Sequence, residues 1–167
     1  VERSRGLGDV YKRQLYDDAS DANKANAFTR RLIMQDEVDA ILGASTTGST
    51  MAMVPQAEAA KMPLISLAAA SVIVEPVKPY VFKMPHFDRM AAEKVLGEMK
   101  KRGFTQFALL SDTGGFGKSG RTETLKLAES LGLKVVEDQT YGEKDTDVTP
   151  QLTRIKSSGA QAVFVFG

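Results

Sequence analysis

Short apolar runs alternate with stretches of helical period along most of the chain. Ala25, Phe28 and Leu32 recur at helical spacing and predict a helix from a cap at Ser20 or Asp21 to about Gln35. The run 38–42, Val-Asp-Ala-Ile-Leu, reads as a buried strand that Gly43 ends. A hydroxyl-rich turn follows, and 47–60 reads as a helix. Strands are expected at 62–67 and 80–84, the latter framed by Pro79 and Pro85. Ala91, Val95 and Met99 then mark a helix over about 87–102 that Gly103 stops. Next come a strand at 107–110, a glycine-rich loop at 111–120, a helix from about Thr122 to Leu131, and a strand at 133–136. Thr149-Pro150 opens another helix, and 162–166 is a last strand. Leu15-Tyr16 reads as the end of a strand.

Strand and helix in alternation predict parallel sheets covered by helices on both faces, an α/β architecture. Residues 1–14 break the pattern: they are polar, lack periodicity and lack the apolar core of a signal peptide. They read as a non-native or disordered leader. A chain that stops at Gly167, on a hydrophobic strand without its helix, reads as a fragment truncated at both ends.

Composition narrows the function. The chain of 167 residues is 43% hydrophobic and 26% charged, with net charge +1. The one basic run, Lys100-Lys101-Arg102, is too short for a nucleic-acid face, so no nucleic-acid partner is expected. No apolar run approaches the roughly 20 residues of a membrane span. Without cysteine and with His86 as the lone histidine, neither a thiolate or histidine metal site nor a Ser-His triad is expected. Asp17 and Asp18 read as residues closing a strand rather than a catalytic pair. Gly117-Lys118-Ser119 invites a phosphate-loop reading, but that motif needs glycine at 112, where Asp112 stands. No cofactor is therefore expected.

What remains is binding. The turn before 47–60 places small and hydroxyl residues at a helix start, where free N–H groups and the dipole attract carboxylates and phosphates. An N-capping turn with no ligand explains the same residues equally well. Ala68-Ala69-Ala70-Ser71 forms a second small-residue turn. In the glycine-rich loop, Phe116 is either a packed anchor or a ligand lid. His86, just after a strand, reads first as a partly exposed loop histidine.

Six stretches in order carry a resemblance: residues 16–21, 41–55, 63–71, 112–120, 141–145 and 150–156. Together they resemble the solute-binding proteins of branched-chain-amino-acid-type ABC transporters. The resemblance implies a type I periplasmic binding fold of two Rossmann-like lobes, partial here, with lobe one at 15–84 and lobe two at 85–167. It implies a small carboxylate ligand in the cleft, no catalysis, transient docking on a membrane permease, a monomer when full length, and a periplasmic or lipid-anchored extracellular location. Thr47 matches the hydroxyl residue that binds the ligand carboxylate, and Ala68 one whose carbonyl accepts from a ligand amino group. Ala70 falls where amino-acid binders usually carry threonine, a departure that counts against an α-amino acid. Ser71 could compensate from next door, and Phe116 matches an aromatic placed against the ligand. His86 and Phe87 follow the crossover and are expected at the cleft mouth. Members with such alanine-rich turns look like binders of aromatic or other organic acids. Ser20 and Thr46 fall where some members carry a disulfide, impossible here. The first βα unit of lobe one, its return segment and the rest of lobe two are expected outside this sequence. A ligand-sensing domain of a receptor or regulator with the same fold is the alternative, and a nucleotide-binding α/β enzyme a third.

Overall fold

Two three-stranded parallel sheets organise the chain, each with its helices packed by the alternation seen in the sequence. The computed structural model describes residues 2–5, 10–142 and 144–167. Strands β1 (Glu2–Arg5) and β2 (Val10–Arg13) pair antiparallel. The expected leader thus falls partly on residues 1 and 6–9, which lie outside the described residues.

The first sheet takes the order β3-β4-β5, from β3 (Ile41–Leu42), β4 (Leu64–Ser66) and β5 (Val81–Lys83). Ile41, Leu64 and Val81 are register partners and all buried. They point at α1 (Ala22–Met34) and α2 (Thr47–Ala60), whose Ala25, Met53, Val54 and Ala57 complete one core. A strand's side chains alternate faces, so the next row, Leu42, Ile65 and Phe82, turns away. Leu42 is 70% exposed and Phe82 53%. Asp21 caps α1, its carboxylate accepting from the N–H groups of Asn23 and Lys24.

The second sheet takes the order β7-β6-β8, from β6 (Gln106–Asp112), β7 (Lys134–Tyr141) and β8 (Val163–Phe166). Here one face is covered and the other is covered in part, Val163 and Val165 of β8 staying exposed. Phe107 and Leu109 pack with Phe164 and Phe166 against α3 (Asp88–Lys101) and α4 (Gly115–Leu131). Ala108 and Leu110 pack against Ile155 of α5 (Thr149–Ser157). Phe107 and Leu109 are wholly buried, each such side chain contributing about 1.5–3 kcal/mol.

Four elements depart from the expectations above. Of the buried strand expected at 38–42, only Ile41–Leu42 pairs, and Leu42 faces outward. Leu15 and Tyr16 are not in a strand; the Tyr16 ring stacks 5.0 Å from Phe28 and its hydroxyl donates to Asp36 at 2.7 Å. The glycine-rich loop is largely helix, since α4 begins at Gly115 rather than near Thr122. Its glycines serve packing: a Cβ on Gly117 would strike Asp112, and one on Gly120 would strike the Phe166 ring. The strand expected at 133–136 runs on to Tyr141, because polar Glu137, Asp138 and Gln139 still pair with β6.

Candidate functional site

The site begins at the amino end of α2. Thr46 caps the helix, its hydroxyl accepting from the Ser49 N–H at 3.4 Å. Thr47, the first helical residue, is only 2% exposed, and its Oγ1 is buried without a hydrogen-bond partner among the described residues. Oγ of Ser49 is likewise buried and unpartnered. Of the two, only Thr47 lines the cavity described below, and an unmatched hydroxyl beside the free N–H groups of a helix end suits an anion.

A hydroxyl relay fixes this end against the neighbouring strand. Thr50 Oγ1 donates to the Ala44 carbonyl at 3.3 Å and lies 3.0 Å from Ser66 Oγ, which accepts from the Ala68 N–H at 3.1 Å. Ala68 and Ala70 follow β4 as buried residues, and the short 3₁₀ turn Ser71–Ile73 continues the chain. Ser71 is 4% exposed and its N–H donates to Asp88 Oδ1 at 3.2 Å.

The opposite wall is α4. A Cβ built on Gly115 would stand 3.0 Å from the Gly48 nitrogen and 3.1 Å from Thr47 Cγ2, so the two helix starts meet there. Beside this contact opens a cavity of about 500 Å³. One side is lined by Thr47, Met51, Ser71, Val72 and Glu75, the other by Gly115, Lys118, Ser119, Thr122, Glu123 and Lys126. Lys126 pairs with Glu123 at 3.3 Å, and Glu75 pairs with Arg89 at 2.9 Å. Lys118 makes no ion pair among the described residues. The uncompensated charge of the lining is therefore positive, on the same side of the balance as the α2 terminus.

Of the residues singled out from sequence, the cavity brings together Thr47 and Ser71. Ala68 and Ala70 support the turn but do not line it. The half-buried Phe116 ring lies 4.8 Å from Phe166, within the core of the second sheet. His86 is exposed, and its carbonyl accepts from Lys83 Nζ at 3.1 Å. The Phe87 ring carries Lys83 Nζ at 4.1 Å and Arg89 Cζ at 4.5 Å from its centroid. Burial lowers the Lys83 pKa, only partly offset by the charge of Asp88. The residues not expected to bind the ligand form the α4 wall, Lys118 and Ser119 having been considered only as part of a phosphate loop. Gly115, Ser119, Thr122 and Lys126 repeat at three and four residues, a stripe that becomes legible once the helix is started at Gly115.

Nothing in the region forms a metal site: no cluster of three His, Cys, Asp or Glu suited to a metal occurs among the described residues. No helix among them is long and apolar enough to cross a membrane.

The family model described as periplasmic binding protein matches residues 10–167. The Leu/Ile/Val-binding protein homolog 6 of Brucella abortus (strain 2308) is 24% identical over 99% of this chain and 43% of its own length. The chain thus spans about two fifths of the curated relatives it matches. Among solved structures, an extracellular ligand-binding receptor from Rhodopseudomonas palustris HaA2 superposes with a TM-score of 0.85 at 28% identity, covering 90% of this chain and 42% of that one. A solute-binding protein of an ABC transporter from R. palustris, in complex with 4-hydroxybenzoate, reaches a TM-score of 0.77 at 32% identity over 91% of this chain and 42% of its own. The parallel sheets with their helices are those of the type I periplasmic binding fold. By fold, and by a family match running from Val10 to Gly167, the chain belongs to the periplasmic binding protein family.

Proposed function

We propose that this chain is part of the solute-binding component of an ABC transporter, capturing a small carboxylate-bearing solute between two lobes, 15–84 and 85–167. Binding rather than catalysis is its task. Delivery is to a membrane permease, from the periplasm or from a lipid-anchored extracellular position, by a protein that is monomeric at full length. The observation that supports the reading is the buried Thr47 hydroxyl, unpartnered among the described residues, at the start of α2, in a residue that lines a cavity where Lys118 makes no ion pair with a described residue. A carboxylate there would accept from the Thr47 hydroxyl and the helix N–H groups together. Ala70 lacks a hydroxyl with which to hold an α-amino group, which favours an aromatic or other organic acid over a branched-chain amino acid. The relatives bracket this range: one is named for leucine, isoleucine and valine, and another was solved with 4-hydroxybenzoate.

Calorimetric titration of the full-length protein with 4-hydroxybenzoate and with isoleucine tests the reading. Thr47→Ala is expected to weaken the bound probe by about 1.5–3 kcal/mol, the range for a hydrogen bond to a charged group. Unchanged affinity would place the site elsewhere.

A further inference from the structure

One buried carboxylate stands behind the cavity and holds both of its walls. Asp88, the first residue of α3, is 1% exposed. Its Oδ1 accepts from the N–H of Ser71 at 3.2 Å and of Arg89 at 2.9 Å. Its Oδ2 accepts from the Ser119 hydroxyl at 2.5 Å. Its own N–H donates to the Ala69 carbonyl at 3.1 Å. A buried carboxylate needs such donors, and a helix start favours it, but apolar filling would serve stability as well.

The consequence falls on Ser119. An ionised carboxylate only accepts, so the Ser119 proton must point at Asp88. The serine oxygen keeps its lone pairs, and Ser119 lines the cavity. It therefore meets a bound molecule as an acceptor and not as a donor. Across the cavity stand Thr47 and the donors of the α2 terminus, which suit the opposite chemistry.

We propose that Ser119, locked as an acceptor by Asp88, is a specificity-determining residue that selects acids carrying a hydrogen-bond donor, a hydroxyl or an ammonium, away from the carboxylate. Asp88 acts through Ser119 and is a positioning residue. The inference rests on reading this cavity as the ligand cleft.

Two matched probe pairs test it by calorimetry on the full-length protein: 4-hydroxybenzoate against benzoate, and isoleucine against 3-methylpentanoate. In the pair that binds, the wild type is expected to prefer the donor-bearing member by about tenfold, the scale of one hydrogen bond. Ser119→Ala should bring that preference close to unity. Asp88→Asn should do the same or reverse it, since an amide N–H donated to Ser119 frees the serine proton for the ligand. A purely structural role would lower both affinities together and leave their ratio unchanged. If Asp88→Asn does not fold, Ser119→Ala decides alone. Binding without discrimination, or an unchanged ratio in Ser119→Ala, overturns the inference and leaves the proposed function standing. Binding of none of the four probes overturns both.

Discussion

A hydroxyl buried without a partner, as Thr47 Oγ1 is, costs about 1–3 kcal/mol of desolvation in the unliganded protein. Valine has the same shape without the polar atom. Thr47→Val is therefore expected to keep the unliganded stability or raise it by up to about 1 kcal/mol, while binding of a carboxylate probe weakens. Urea denaturation beside a titration measures both; a marked loss of stability would mean that the hydroxyl has a partner within the protein. The helix start at Thr47 was legible in the sequence because a hydroxyl run directly before a helical period marks an N-terminus, whether or not a ligand sits there. Asp88 was not. It stands alone after Phe87, and its importance comes from Ser71 and Ser119, 17 and 31 residues away along the chain. No local pattern records such a meeting.

Among elements, α2 keeps the bounds read at 47–60: its start followed from the hydroxyl run that supplies the Thr46 cap, whereas its stop, Lys61 in the left-handed region at φ 54°, carries no sequence signal of its own. The start of α4 was hidden because Gly115, Gly117 and Gly120 signal a loop in a single sequence. In the fold they allow close approach, and the same substitution should act oppositely in two helices. Gly97 in α3 has nothing within 4 Å of its would-be Cβ and is exposed. Gly97→Ala is expected to stabilise by about 1 kcal/mol through helix propensity. Gly120→Ala would press a methyl into the Phe166 ring and is expected to destabilise by about 1–3 kcal/mol despite the same propensity gain. Thermal melts of the two variants check the signs. At the head of α1, backbone N–H groups of Lys24 and Asn23 hold the Asp21 pKa below the ordinary carboxylate value. The cap's contribution is thus fully present above a pH of about 4 and lost as pH falls through the lowered pKa. Protection of the Asn23 and Lys24 amides, taken relative to their intrinsic exchange rates at each pH, should fall in that acid window, and Asp21→Asn should remove that change.

At the scale of the molecule, the alternation of strand and helix was enough to foresee parallel sheet structure packed by helices, because a buried parallel strand writes a continuous apolar run, while the division into two sheets was implied only by the resemblance. The arrangement of the two halves was not legible, since the Gly48–Gly115 contact and the cavity beside it join residues with no pattern in common. The two sheets also differ in a way that affects behaviour in solution. The second buries Phe107 and Leu109 on one face and Ala108 and Leu110 on the other, and only at its β8 edge are Val163 and Val165 left 44% and 56% exposed. The first buries one face, leaving Leu42 70% and Phe82 53% exposed on either side of Ile65, with Met84 at 72% two residues beyond Phe82. A contiguous apolar row on a flat sheet face promotes self-association. The 167-residue chain expressed by itself is accordingly expected to form concentration-dependent oligomers. Leu42→Thr with Phe82→Thr should shift it toward the monomer at a modest cost to folding, because Leu42 is largely and Phe82 about half in water. Light scattering coupled to size exclusion measures this. A chain that stays monomeric with both residues intact, or a double variant that associates as strongly, would show that this row is not the sticky surface.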